Sequence, residues 1–286
     1  MNGLSPRIAA VVVLYRPGEE VPGNIRTWVG QVEVVYAVDN SDSGDGSFVR
    51  CLASLGSVIY LPQGENVGIA TALNIGATRA VDDGYDCLLT MDQDSRAADG
   101  LVARLVACRG AGEGSAPGIV APFHLTRAVR RPPPDTEWSE AMTPMTSGCL
   151  LDLAAWQAVG PFRDDFFIDF VDNEYSLRLR RRGFRVVRAN RAILTHEVGD
   201  ITRHGPLIAT NHSPLRRYYK SRNRFVVFGE YLTTFPGHCC FDLVRLTKEI
   251  GSIILFEAEK TAKLSMIWRG WRDYRRGRMG KFSGTV

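Results

Sequence analysis

The chain has 286 residues, 45% of them hydrophobic and 23% charged, with a formal net charge of +4. This is ordinary globular composition with enough chain for a large core, and no run approaches the ~18 apolar residues of a transmembrane helix. The charge is uneven: after Glu259, eight Lys and Arg residues face Asp273 alone, so this tail carries +7 and the remainder 4 − 7 = −3.

Met1 to Arg7 lacks the charged and apolar regions of a secretory signal. The six cysteines form no C-x-x-C pair. Reduced, mostly buried thiols in a cytosolic protein are expected.

In chain order, Ile8 to Tyr15 (IAAVVVLY) is a β-branched apolar run that ends at the turn signal Arg16-Pro17-Gly18. Pro22 to Val29 predicts a helix. Val32 to Val38 predicts a second strand, which runs into the polar Asp39-Asn40-Ser41-Asp42-Ser43-Gly44. A short helix from Phe48 to Leu55 and a strand from Ser57 to Leu61 follow. Asn66 to Ala80 has the small and apolar spacing of a buried helix, with Asn66 as its cap. Tyr85 to Met91 reads as a buried strand. This alternation implies a mostly parallel sheet with both faces covered.

The pattern then loosens. A helix is expected at Leu101 to Cys108 and a strand at Gly118 to Pro122. An aperiodic loop begins at Arg130-Arg131-Pro132. Thr143 to Leu153 passes through Thr146-Ser147-Gly148 into a strand-like run. Phe162 to Asp172 is aromatic and acidic, Asn173 to Arg182 helical, and Phe184 to Leu194 a last strand leading to Thr195-His196-Glu197. From Pro214 onward the pattern is helical. Leu243, Leu246, Ile250, Ile253 and Ile254 mark one face, and Leu264, Ile267, Trp268 and Trp271 continue it.

The most informative feature is Asp92-Gln93-Asp94 at the end of the fourth strand. Open α/β sheets bind ligands at that rim. Alternate residues of an extended chain point the same way, so both carboxylates are placed to share one hard cation. Mg²⁺ is typically held by one or two carboxylates plus substrate phosphates. The bland alternative is a polar turn. Neither a Walker A sequence nor a G-x-G-x-x-G after a strand is present, which weakens P-loop and dinucleotide readings.

Taken together, VVVLYRP, VDNSDS, NVGIATALNIG, MDQDS, FIDFVDNEYSLR and RRYYKSRNR resemble the family-2 inverting glycosyltransferases of the GT-A fold. The likeness is greatest to bacterial rhamnosyltransferases that use dTDP-L-rhamnose, and covers roughly residues 8–230. The resemblance implies an α/β GT-A catalytic domain with a mixed central sheet over residues 1–230. A basic helical extension over 231–286 is expected to meet a membrane or a second subunit.

It assigns donor binding to Tyr15, Asp39, Asn66, Gly68 and Asp92, with Asp39 accepting the N3–H of thymine or uracil. Asp94 and His196 would hold Mg²⁺ or Mn²⁺. Asp172 would be the general base. Ser147, Gly148, Asp169, Glu174 and Arg222 would position sugar or acceptor. The structural alternatives are an Asx-turn for Asp39, capping for Asn66, a solvated helix start for Asp169 to Glu174, and a packed helix for the arginine-rich stretch.

The implied reaction is metal-dependent, inverting transfer of L-rhamnose from dTDP-L-rhamnose to a glycan or polyprenyl-diphosphate-linked acceptor in cell-envelope polysaccharide synthesis. It would take place in the cytoplasm or peripherally at the inner face of the membrane. Trp268, Trp271 and the flanking arginines suit an anionic lipid surface. A homodimer contact is the alternative, and no nucleic-acid partner is expected. Competing functions are transfer from a UDP donor, a nucleotidyltransferase, and an inactive GT-A-like binding protein.

Overall fold

The computed structural model describes residues 5–110, 112, 116–126, 132–196, 202–204 and 207–284. β1 (Ile8–Leu14), β2 (Val34–Asp39) and β4 (Cys87–Asp92) are buried along nearly their whole length. A strand covered on both faces needs such a continuous apolar run. Each fully buried Leu or Val adds about 1.5–3 kcal/mol of transfer free energy. β3 (Val58–Pro62) lies at the edge and is less buried. The helices between them are α1 (Val21–Arg26), α2 (Gly46–Ala53) and α3 (Ile69–Asp82). These four strands pair in parallel in the order β3-β2-β1-β4, as the alternating pattern predicts.

The rest of the sheet is mixed. It comprises β5 (Ser95–Ala97), β6 (Pro117–Leu125), β7 (Trp138–Glu140), β8 (Cys149–Asp152) and β9 (Arg185–His196). The full order is β3-β2-β1-β4-β8-β6-β9-β5, with β7 also on β9. β8 is antiparallel to β4 and β6, while β6 and β9 run parallel. The β6–β9 register shifts between Pro122 and Phe123, where the partner jumps from Ala189 to Ile193. Such an irregularity bends a strand. α4 (Leu101–Ala107) and α5 (Leu153–Val159) complete this part. α5, β5 and β7 were not expected from the sequence.

The described chain divides into two compact units, with breaks after residues 162, 174 and 197. Residue 230, the end of the expected catalytic domain, lies within α7 (Pro214–Tyr231). The first unit holds the sheet. The second holds the acidic segment 163–174, which enters α6 (Val171–Arg181), and the C-terminal helices. It also has a small hairpin, β10 (Thr202–His204) with β11 (Leu207–Ala209).

In the second unit, α7, α8 (Pro236–Phe256) and α9 (Lys260–Arg275) share a buried ionic network. Glu257 accepts from Arg217 at 2.7 and 2.9 Å and from Lys263 at 2.9 Å. Glu249 meets Arg217, Lys220 and Arg224, and Arg224 also meets Asp242 at 2.8 Å. α9 is not a free tail. Its buried face is Lys263, Met266, Gly270 and Asp273, not the face marked by Leu264, Ile267, Trp268 and Trp271. A Cβ on Gly270 would lie 2.5 Å from the Tyr218 carbonyl oxygen. That close approach, with Tyr218 Oη donating to Asp273 at 3.0 Å, selects the face.

Candidate active site

Parallel strands end on one edge, and that edge collects the expected donor residues. Asp39 closes β2 and is only 2% exposed. Its Oδ1 accepts from the Ser41 N–H at 2.9 Å and its Oδ2 from the Tyr60 hydroxyl at 2.6 Å. Asp39 thus makes the Asx-turn expected as its structural alternative, and Tyr60 fixes the orientation of the carboxylate. Burial, and then the bond to Asp39, push the Tyr60 phenol up to about 12, so it stays a donor at neutral pH. Tyr60 lies on the edge strand in a run read only as β-forming, and the sequence reading missed it.

Asn40 ties this edge to the start of α3. Its backbone N–H donates to Leu14 O at 2.8 Å, and its side chain to Gly68 O at 3.1 Å. Asn66 Oδ1 accepts from the Gly68 N–H at 2.9 Å. Gly68, not Asn66, is the N-cap of α3. Asn66 shapes the approach to a helix N-terminus, a place that favours anionic groups.

The Asp92-Gln93-Asp94 turn is held on both sides. Gln93, which sequence reasoning passed over, accepts from the Tyr15 N–H at 2.8 Å and donates to Tyr15 O at 3.3 Å. Tyr15 thus meets the turn through its backbone, and its side chain is exposed. On the other side, Ser147 Oγ accepts from the Asp92 N–H at 3.0 Å and lies 2.8 Å from Ser95 Oγ.

Ser147 is 1% exposed, so its hydroxyl supports the acidic turn from beneath. Gly148 has φ 76°, a conformation few side chains tolerate. A Cβ there would lie 2.7 Å from Pro122 and 2.8 Å from Leu194. Its N–H donates to Thr90 O at 2.6 Å. Both residues were expected to position sugar or acceptor; here they brace the end of β4.

β5 follows the turn and pairs antiparallel with the end of β9, Ser95 opposite His196. The backbone of His196 is thereby brought beside Asp94; its side chain and Glu197 lie outside the described residues, as do Arg130 and Arg131. Among the described residues no three metal-ligating side chains cluster. The donor set still fits a hard dication. Asp92 and Asp94 supply carboxylate oxygens, and Mg²⁺ or Mn²⁺ needs only one or two of these when diphosphate and water fill the remaining positions.

The acidic residues form a separate group in the second unit. Phe167, Asp169 and Phe170 all have φ of 62–65°. Left-handed conformations of non-glycine residues cost on the order of 1–3 kcal/mol each, and persist where neighbours over-determine them. Asp169 is paired with Arg216 through contacts of 3.1–3.2 Å. Glu174 is 2% exposed and accepts from Tyr231 Oη at 2.8 Å. Asp172 lies half-buried in the first turn of α6, its Oδ1 accepting from the Asn173 N–H at 2.8 Å.

The basic aromatic stretch Arg217 to Arg224 is neither a solvated face nor an open phosphate patch; Arg216, just before it, is exposed. Arg217, Arg222 and Arg224 are buried. Arg222 was expected to position a ligand. Its guanidinium instead donates to the carbonyls of Asp165, Phe166 and Gly280 at 2.6–3.0 Å. Backbone carbonyls and carboxylates satisfy these cations, as burial requires.

Residues 10–121 match the family model described as glycosyl transferase family 2. The chain is 27% identical to the dTDP-rhamnosyl transferase RfbF of Shigella flexneri, over 78% of this chain and 80% of that one. Among solved structures, S. aureus TarS 1–349 in complex with UDP-GlcNAc aligns with a TM-score of 0.56 at 10% identity, covering 97% of this chain and 94% of that one. GalNAc-T7 with UDP, GalNAc and Mn²⁺ aligns with a TM-score of 0.61 at 13% identity, covering 80% of this chain and 49% of that one. These distant structures establish the fold.

Proposed function

Because this chain is a family 2 glycosyltransferase of the GT-A fold, we propose that it transfers L-rhamnose from dTDP-L-rhamnose, with inversion, to a glycan or a polyprenyl-diphosphate-linked glycan of the cell envelope. The observation that carries the donor reading is the likeness to a protein named dTDP-rhamnosyl transferase over most of both chains. Uracil presents the same N3–H as thymine, and the UDP in the solved neighbours makes a UDP-sugar the second reading.

In this reading Asp39, aimed by Tyr60, accepts the N3–H of the base. The N-terminus of α3 beyond Asn66 and Gly68 faces the diphosphate. Asp172 takes the proton of the acceptor hydroxyl as that oxygen attacks the anomeric carbon. The bond from that carbon to the diphosphate oxygen breaks on the opposite face, dTDP leaves, and the configuration inverts without a protein nucleophile. Asp169 and Glu174, engaged by Arg216 and Tyr231, shape the loop and leave proton transfer to Asp172. Asp94, with Asp92 and His196, would hold a divalent cation, which when bound supplies neutralising charge for the leaving diphosphate.

No helix among the described residues is long and apolar enough to cross a membrane. Phe241, Val244, Leu255 and Trp268 are exposed, and α8 also exposes Arg245 and Lys248. This composition favours peripheral docking of α8 and α9 on an anionic membrane at its cytoplasmic face, with a homodimer contact as the alternative occupant.

The test is isothermal titration of the protein with dTDP, UDP and GDP in Mg²⁺, followed by product release from dTDP-L-rhamnose and UDP-sugars. Tightest binding of dTDP and turnover of dTDP-L-rhamnose are expected. Tighter binding of GDP would overturn the role of Asp39.

A further inference from the structure

The segment leading into Asp172 carries three left-handed non-glycine residues in four positions, Phe167, Asp169 and Phe170. Asp tolerates a positive φ, but no propensity favours it at the two bulky phenylalanines, so something must impose it there. Two adjacent residues of α7 do so. Asn223 Nδ2 donates to the carbonyls of Phe166, Ile168 and Asp169 at 2.9–3.0 Å. Arg222 donates to the carbonyls of Asp165 and Phe166 at 3.0 Å.

The two side chains are themselves locked together. Arg222 Nε donates to Asn223 Oδ1 at 2.9 Å, which turns the Asn223 amide so that its NH₂ faces the loop. Both are fully buried. The C-terminal segment closes the arrangement: the Gly280 N–H donates to Asp165 O at 2.7 Å, and Gly280 O accepts from Arg222 at 2.6 Å.

We propose that Arg222 and Asn223 are positioning residues for the reaction: they hold residues 165–170 in a strained course that sets where α6 begins and hence where the Asp172 carboxylate stands. This rests on the reading of Asp172 as general base. Side chains that satisfy five carbonyl contacts of one short loop, at the point where it is most strained, do more than fill a core. Local strain of this kind clusters at functional sites. Misplacing a reacting group by ~1 Å can cost about 10²-fold in rate.

The experiment is a double-mutant cycle read by dTDP release from dTDP-L-rhamnose in Mg²⁺, with water as acceptor. Asn223→Asp keeps size but removes the NH₂ donor, and Arg222→Lys keeps charge but loses the fork. Each is measured alone and with Asp172→Asn, below its own melting transition. The expected result is a fall in kcat of about 10²-fold for Asn223→Asp, with KM for the donor unchanged. Adding it to Asp172→Asn should produce no further loss, because the residue it positions is already disabled.

Arg222→Lys should give a smaller, equally non-additive loss, and it stands in if Asn223→Asp fails to fold. Losses that multiply in the double variants would overturn the proposal and leave a structural role. Asp172→Asn with wild-type turnover would instead overturn the base assignment, and that outcome is visible in the single variant alone.

Discussion

Ser95 lies opposite His196 in the antiparallel pair of β5 and β9. Only Gln93 and Asp94 separate Ser95 from Asp92 at the end of β4. Three Cα–Cα steps of 3.8 Å span at most ~11 Å, so the end of β9 must lie close to the end of β4. In strand order these two are separated by β8 and β6. The sheet reconciles the facts by curling, aided by the register shift at Pro122.

The proposed metal dependence is tested directly. Excess chelator should abolish dTDP release from dTDP-L-rhamnose, and Mg²⁺ or Mn²⁺ should restore it. Asp94→Ala should lower kcat by about 10²–10³-fold, which corresponds to about 3–4 kcal/mol of transition-state stabilisation. It should also remove the metal-dependent part of dTDP affinity in calorimetry. Full turnover in verified metal-free buffer would refute the assignment.

Tyr60→Phe deletes the hydrogen bond that aims Asp39. A hydrogen bond to a charged group contributes about 1.5–3 kcal/mol, so dTDP affinity should fall at least tenfold while kcat at saturating donor holds. Unchanged affinity would mean that Asp39 needs no such orientation.

Asp172→Asn keeps the shape of the side chain but cannot take a proton. Turnover should fall by roughly 10²–10⁴-fold with dTDP affinity retained. Asp169→Asn should lose the pairing with Arg216 and do less damage. If the two variants exchange behaviour in single-turnover assays, Asp169 is the base.

Acid stability should report His212. Burial, and then Lys220, Arg216 and Arg217, depress its imidazole to about 3, with Glu249 opposing them. A depressed folded value means the neutral form stabilises the fold above the unfolded value near 6.5. That contribution is lost as pH falls toward 3. At pH 5 the loss is about 2 kcal/mol. Glu249 and Glu257 are also held low, but their contribution is lost only below the ordinary carboxylate range; His238, which burial also depresses, shares the window from pH 7 to 5, so the variant is needed to pick out His212. Urea midpoints should drop across that window, and His212→Gln should flatten the drop.

Vesicle flotation with anionic lipid separates membrane from self-association. Phe241→Glu with Leu255→Glu should abolish binding in low salt and leave the oligomeric state unchanged. Loss of a dimer by light scattering, with vesicle binding intact, would assign the face to a second copy. Truncation at residue 260 is a poor test, because α9 buries Gly270 and Asp273 against α7.

Local sequence determined the parallel half of the sheet and the edge at which its candidate donor residues gather. Period and composition are short-range signals, and IAAVVVL or CLLTMD can be little other than buried strands. The motifs Asp39, Asn66-Val67-Gly68 and Asp92-Gln93-Asp94 were legible because each ends or begins an element. Short segments were not: β5 and β7 are three residues each, below any periodicity, and exist only because β9 offers a partner. Tertiary structure alone decided that Ser147 faces inward, that Gln93 and Tyr60 aim their neighbours, and that Arg217, Arg222 and Arg224 are buried. A charged side chain reads as exposed until the carbonyls and carboxylates that satisfy it are known. Those partners lie up to 58 residues away, a distance over which pattern carries no information and only packing does.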